Sequence, residues 1–229
     1  MNLKGKKIGI FGGAFDPIHM GHLILAQEAL DKLSLDRVLF MPTPSPYHRT
    51  DKRLQSLEDR INMVRLAIED NERFELSDLE ISLPGPTYTA NTLKAFRSAD
   101  PDCEIYLIIG GDTLFSIENW YRAPEIFKIA NIASARRCGQ DKGESGNCGA
   151  FSDAALHGQM SEQQMFLAAA EHLRKKFDAK IYDIDMPDIE ISSSDISRRI
   201  HAGESIRYYV PEAVRGYIYE HRLYGLSDG

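Results

Sequence analysis

IGIFGGAFDPIHMGH, residues 8–22, is the stretch on which the reading of this chain turns. Its apolar start, Lys7 to Phe11, predicts a strand, the pair Gly12–Gly13 with Pro17 predicts a sharp turn, and the residues after His22 predict a helix. Glycines at the end of a strand let the backbone approach a ligand, and the amides at the start of the following helix point at an anion. His19 and His22 stand three residues apart, so on a helix their imidazoles share one face and can meet one ligand. Gly21 between them removes a side chain that would crowd it. Two histidines satisfied within the structure are the competing reading; strand, glycine turn and helix start together favour a cradle for phosphates. The stretch is neither a GxGxxG loop nor a P-loop, so dinucleotide binding and that NTPase class do not follow from it.

Working outward, 229 residues with 43% apolar content suit a single domain spanning 1–229. No apolar run reaches a membrane span, and the opening MNLKGKK lacks the apolar core of a secretory signal, so a soluble cytoplasmic protein with no membrane partner is expected. A net charge of −7 argues against nucleic acid as a general partner, since that needs a basic surface. Cys103, Cys138 and Cys148 are odd in number and scattered, as in a reducing compartment. Cys138, Cys148 and His157 are too widely spaced for a structural zinc, and no protein metal site is expected.

Strand and helix signals then alternate. Strands are expected at Lys7 to Phe11, Arg37 to Met41, Phe74 to Ser77, Glu104 to Gly110, Ile129 to Ala135 and Lys180 to Asp185. Helical periodicity runs through Leu23 to Leu33, Leu57 to Ile68, Thr89 to Ser98, Ser161 to Lys176, Asp195 to His201 and Pro211 to His221. Residues 139–160, rich in Gly, Ser and Asp, read as a loop insert, and carboxyl-terminal helices are expected within 193–224. This alternation predicts an α/β fold with a doubly wound parallel sheet, helices on both faces and a ligand at the carboxyl ends of the strands.

Several motifs fall at such ends. Ser192–Ser193–Ser194 before Arg198 and Arg199 reads either as a helix cap or as an anion seat of amides, hydroxyls and guanidinium. Trp120 could stack on an aromatic ring or fill the core. Asp112 could hold a substrate hydroxyl or amide or cap a helix, Asp16 could orient a metal ion or water, and Arg136 could meet a phosphate or simply be solvated.

GGAFDPIHMGH resembles the HxGH signature of the nucleotidyltransferases, which have a Rossmann-like fold. TPSPYHR (Thr43 to Arg49), PTYTANTL (Pro86 to Leu93), GGDTLFSIENW (Gly110 to Trp120), ISSSDISRRI and SIRYYVPEAVRGYIYEHRLY (Ser205 to Tyr224) are similar, in order, to segments of the bacterial nicotinate mononucleotide adenylyltransferases. The resemblance implies transfer of adenylate from ATP to nicotinate mononucleotide with Mg²⁺ assisting, a step in making NAD, and leaves a homo-oligomer open. It implies that His19, His22 and Arg198 are catalytic, with Ser197 where the family has its arginine. An adjacent polyanion should raise the pKa of the histidines, so that at least one becomes cationic. Contacts to ATP are implied for Gly12, Gly13, Ala14, Phe15, Gly21, Gly110 and Asp112, and also for Arg136, Ser193 and Ser194. The mononucleotide would be met by His48, Arg49, Tyr88, Thr89 and Trp120, with Asn91, Tyr47 and Arg49 replacing the family's aspartate, proline and lysine. Two alternatives stand beside this: another HxGH adenylyltransferase, acting on nicotinamide mononucleotide or pantetheine phosphate, and a nucleotide sensor that has lost catalysis.

Overall fold

The computed structural model describes residues 3–44, 54–135, 161–187 and 189–226. The expected insert at 139–160, with Arg136, His48 and Arg49, lies outside them. Six strands, β1 (Lys7–Gly13), β2 (Arg37–Pro42), β3 (Phe74–Leu76), β4 (Glu104–Ile109), β5 (Asn131–Ala135) and β6 (Ile181–Ile184), form one sheet in the order 3-2-1-4-5-6. Every pairing is parallel.

The residues explain why this sheet is buried on both sides. Along β4, Ile105, Leu107 and Ile109 belong to one apolar cluster while Tyr106 and Ile108 belong to the other. In β2 the alternation is Val38 and Phe40 against Leu39 and Met41. Such two-faced strands are what a parallel sheet needs, because its crossover helices cover both faces. One face packs on α1 (Met20–Lys32) and α2 (Leu57–Ile68), and also on the last two helices, here α8 (Ser193–His201) and α9 (Glu212–Glu220). The other packs on α4 (Thr89–Ala99), α6 (Ala123–Ile129) and α7 (Glu162–Phe177). Gly9 in the central strand has no room for a side chain, since a Cβ would stand 2.9 Å from Ile108 Cδ1 and 3.0 Å from Leu35 Cδ1.

Several expected boundaries shift. Gly12 and Gly13 are the last residues of β1 and not a diglycine turn; the turn is Ala14 to Pro17, with Phe15 at φ 48° and a cis Asp16–Pro17 peptide bond. Gly110 caps the short helix α5 (Gly111–Leu114) and does not extend β4. Ile129 ends α6 and does not open β5. Two further short elements, α3 (Leu79–Ser82) and a 3₁₀ turn at Ile117–Asn119, are too brief to show a helical period.

The strand order reverses between β1 and β4: the chain leaves β1 toward β2 and leaves β4 toward β5. Loops after these two strands diverge and open a crevice at their carboxyl ends, where open α/β sheets hold ligands.

Candidate active site

That crevice contains a cavity of about 200 Å³. Gly12, Gly13 and Ala14 from the end of β1 form one wall, Tyr88 and Thr89 from the start of α4 another, and Trp120 a third. A larger cleft of about 560 Å³ lies at the amino ends of β4 and β5, the wrong end of the sheet for such a ligand. Trp120 is half-buried, packs on the core and lines the cavity. Tyr88 packs against Tyr121 with ring centroids 4.4 Å apart and planes tilted by 32°.

Beside Ala14 the chain turns into α1, and here the histidines meet. His19 is the N-cap of α1 rather than a residue of it, with extended backbone (φ −145°, ψ 170°). His22, one turn in, reaches back and accepts a hydrogen bond on Nδ1 from the His19 backbone N–H at 3.2 Å. The rings therefore stack, with centroids 3.6 Å apart and planes 23° from parallel. A nitrogen that accepts carries no proton, so the His22 proton sits on Nε2. Phe11 and Phe15 meet the His22 ring edgewise at 5.8 and 5.2 Å and fix its plane.

His19 is only 6% exposed, and burial pushes its imidazole from the ordinary 6.5 down to about 3. It is neutral in this structure, so the cation expected here needs the field of a bound polyanion. Its Nδ1 is buried without a hydrogen-bond partner among the described residues, which leaves Nε2 as the atom that can meet a ligand. Gly21 serves this ring directly: a Cβ there would lie 3.2 Å from His19 Nδ1 and 3.3 Å from Cε1. The glycine makes room for the histidine ring as it stands in this structure.

The expected helix amides are mostly spent. Met20 N donates to Tyr209 O at 2.9 Å, and His22 N and Leu23 N donate to His19 O. Phe15 turns its side chain into the core, leaving at most its backbone for ATP. Asp16, considered for a metal ion or water, accepts from Tyr224 Oη at 2.7 Å and from Gln55 N at 3.4 Å. Among the described residues no group of three His, Cys, Asp or Glu side chains could hold a metal.

The start of α8 abuts the same turn. Ser192 Oγ caps that helix by accepting from Asp195 N, while Ser193 Oγ donates to Pro17 O at 2.9 Å. Arg198 sits three residues past Asp195 and donates to its carboxylate at 2.6 Å, and Arg199 bonds the other oxygen at 2.8 Å. The Asp195 carboxyl lies below its usual range because both guanidinium groups donate to it. Gly110 and Asp112 stand exposed at the end of β4, outside the cavity, and Asp112 lies within α5 instead of capping it.

Three buried polar residues went unforeseen. Arg60, 1% exposed on α2, donates to Ala14 O at 2.7 Å, Thr43 O at 2.9 Å and Pro44 O at 3.2 Å, lacing the β1 turn to the exit of β2. Tyr224 clamps Asp16 from the other end of the chain, and Glu80 lines the cavity. Only Arg60 has a local hint, a charged residue on the apolar stripe of α2.

Residues 10–199 match the cytidylyltransferase-like family model. A protein of Dehalococcoides mccartyi named "Probable nicotinate-nucleotide adenylyltransferase" is 40% identical over 219 residues, 95% of this chain and 97% of its own length. One of the same name from a Synechococcus strain is 40% identical over 222 residues, covering 96% of this chain and 95% of its own. In fold, the chain resembles the Plasmodium falciparum nicotinic acid mononucleotide adenylyltransferase complexed with NaAD, with a TM-score of 0.68, 24% identity and coverage of 97% of this chain and 98% of that one. The matched span takes in the histidine turn, the crevice between β1 and β4 and the start of α8, and the relatives run the length of the chain. The chain belongs to the cytidylyltransferase-like family and, within it, to the nicotinate-nucleotide adenylyltransferases.

Proposed function

We propose that the protein joins ATP and nicotinate mononucleotide to give nicotinate adenine dinucleotide and pyrophosphate, a cytoplasmic step of NAD synthesis. The observation that carries this is the stacked His19–His22 pair, set beside a cavity bounded by Tyr88, Thr89 and Trp120. A mononucleotide fits across these two regions, with its pyridine against Trp120 and its phosphate toward the β1 turn.

In the reaction an oxygen of the mononucleotide 5′-phosphate forms a bond to the α-phosphorus of ATP, and the bond from that phosphorus to pyrophosphate breaks. No protein nucleophile takes part. Alignment and neutralisation of charge supply most of the acceleration in such transfers. His22 Nε2–H and His19 Nε2 face the charge that grows on the departing pyrophosphate. The first amides of α4, behind Tyr88 and Thr89, favour a pyridine carboxylate over a carboxamide through the helix dipole and stronger hydrogen bonds. Ser193 braces the turn against α8 through its bond to Pro17 O, and Arg198, released from Asp195, can reach an anion at that junction.

Mg²⁺ brought in with ATP would screen the triphosphate. The residues fit it as a companion of the nucleotide, held by phosphate oxygens and water, because Asp16 is already engaged by Tyr224 and Gln55.

Pyrophosphate release, measured with ATP and either mononucleotide, tests the reading. Turnover is expected with the nicotinate form and much less with the nicotinamide form. His22→Ala should lower turnover by about a hundredfold or more, as loss of a donor to a developing charge does, while the fold persists. Near-normal turnover in that variant removes the histidine from the mechanism, and ATP binding without turnover in the wild type marks a sensor.

A further inference from the structure

Carboxylates are rarely buried unless every oxygen has a partner. Glu80 departs from that rule. It lies on α3, 6% exposed, and Thr92 Oγ1 donates to its Oε1 at 3.0 Å. Its Oε2 is buried with no hydrogen-bond partner among the described residues. Glu80 is one of the residues that line the cavity of the crevice, so its orphaned, buried oxygen lies in the shell around that cavity. Burial raises its carboxyl above the usual range, against the opposing pull of Thr43 and Thr92.

Its place in the cavity says which part of a ligand it meets. A Cβ on Gly12 would come within 3.9 Å of Glu80 Oε1, which puts the carboxyl beside the strand end that runs on into Gly13 and Ala14. Thr92, its hydrogen-bond partner, lies one turn of α4 beyond Tyr88. Glu80 thus stands between the phosphate turn and the aromatic end of the cavity. In a pyridine mononucleotide the group between phosphate and ring is the ribose, and its hydroxyls are the hydrogen-bonding groups there.

We propose that Glu80 is a specificity-determining residue, its unpartnered Oε2 sharing a hydrogen bond with a ribose hydroxyl of the mononucleotide. The inference rests on the adenylyl-transfer reading and extends it to the sugar. A hydroxyl both donates and accepts, so the bond forms with either protonation state of the carboxyl. A site with a buried polar atom discriminates against an analogue lacking its partner, because that atom is then left unpaired.

The test is a matrix of kcat/KM values. Nicotinate mononucleotide and its 2′-deoxy and 3′-deoxy analogues are each assayed with ATP on the wild type, Glu80→Gln and Glu80→Met. The wild type is expected to lose about tenfold to a hundredfold with one of the two analogues. Glu80→Gln, whose amide can serve a hydroxyl, should keep most of that discrimination. Glu80→Met should lose a similar factor on the ribonucleotide and then treat ribo and deoxy forms alike. Equal use of all three substrates by the wild type overturns the proposal, and so does discrimination undiminished in Glu80→Met. Should Glu80→Met not fold, Glu80→Ala takes its place in the matrix with the same expected and overturning results. No pyrophosphate from the wild type with the ribonucleotide itself would instead sink the adenylyl-transfer reading, an outcome distinct from turnover without discrimination.

Discussion

At the corner around Ala14 to His22, distant segments of the chain tie one turn in place. Arg60 holds the Ala14 carbonyl, Tyr224 holds Asp16, Ser193 holds Pro17 and Tyr209 accepts from Met20. The neighbouring cavity is held more lightly, by a helix start at Tyr88, a half-buried Trp120 and the tilted Tyr88–Tyr121 ring pair, and its lining residue Glu80 has a buried carboxyl oxygen with no hydrogen-bond partner among the described residues. The first region is braced from four distant parts of the chain, and the second is not. Preorganised donors suit developing charge, which allows no time for rearrangement, whereas a pocket that selects a substrate gains from groups left to be satisfied.

The widest gap between the two regions should appear on substituting one central residue in each. Arg60→Met removes a buried cation and orphans the carbonyls of Ala14, Thr43 and Pro44. A loss of about 3 kcal/mol or more is expected, or about 10 °C in melting temperature. Trp120→Ala should instead raise KM for the mononucleotide about tenfold or more through lost stacking, with a smaller change in melting temperature and little in KM for ATP. Comparable stability losses in both variants would erase the distinction.

Acid should weaken the corner next. His19 has a folded pKa near 3 against 6.5 unfolded, so between these values the unfolded chain binds the extra proton. Its contribution is complete above pH 6.5 and drains away as pH falls toward 3, at no more than about 1.4 kcal/mol per pH unit. Denaturant titrations of the wild type and His19→Asn across that window read the difference, and parallel curves would contradict the buried neutral imidazole.

How much of this was legible in the sequence follows from the range of the forces involved. All six strands were legible: the inner four, β1, β2, β4 and β5, carry apolar runs buried on both faces, and the shorter, less buried edge strands β3 and β6 fall into the same alternation with helices. The histidine pair was legible because both rings lie within one turn of chain. The clamps were not: Arg60 reaches back to Ala14, Tyr224 reaches Asp16 across nearly the whole chain, and nothing near either residue encodes its partner. Glu80 lies on a helix too short to show a period, so nothing local marked it. The closeness of Gly21 to the His19 ring was not legible either, since the place of that ring depends on the N-cap geometry.

That glycine offers the finest probe of the corner. Alanine at position 21 would sit in the first turn of α1, where it is a better helix former than glycine by up to about 1 kcal/mol. Its Cβ would press on His19 at 3.2–3.3 Å, so the ring must yield by a few tenths of an ångström, and the His22 ring stacked on it must follow. Stability gained from the helix and lost at the contact should nearly cancel, leaving the melting temperature within a few degrees of the wild type. Turnover has no such compensation, because a donor displaced from a developing charge loses its effect steeply with distance. Gly21→Ala is therefore expected to fall about tenfold in kcat with its fold intact. Unchanged kcat would mean that the ring can move without consequence, and the rigidity of this corner would then serve the fold and not the reaction.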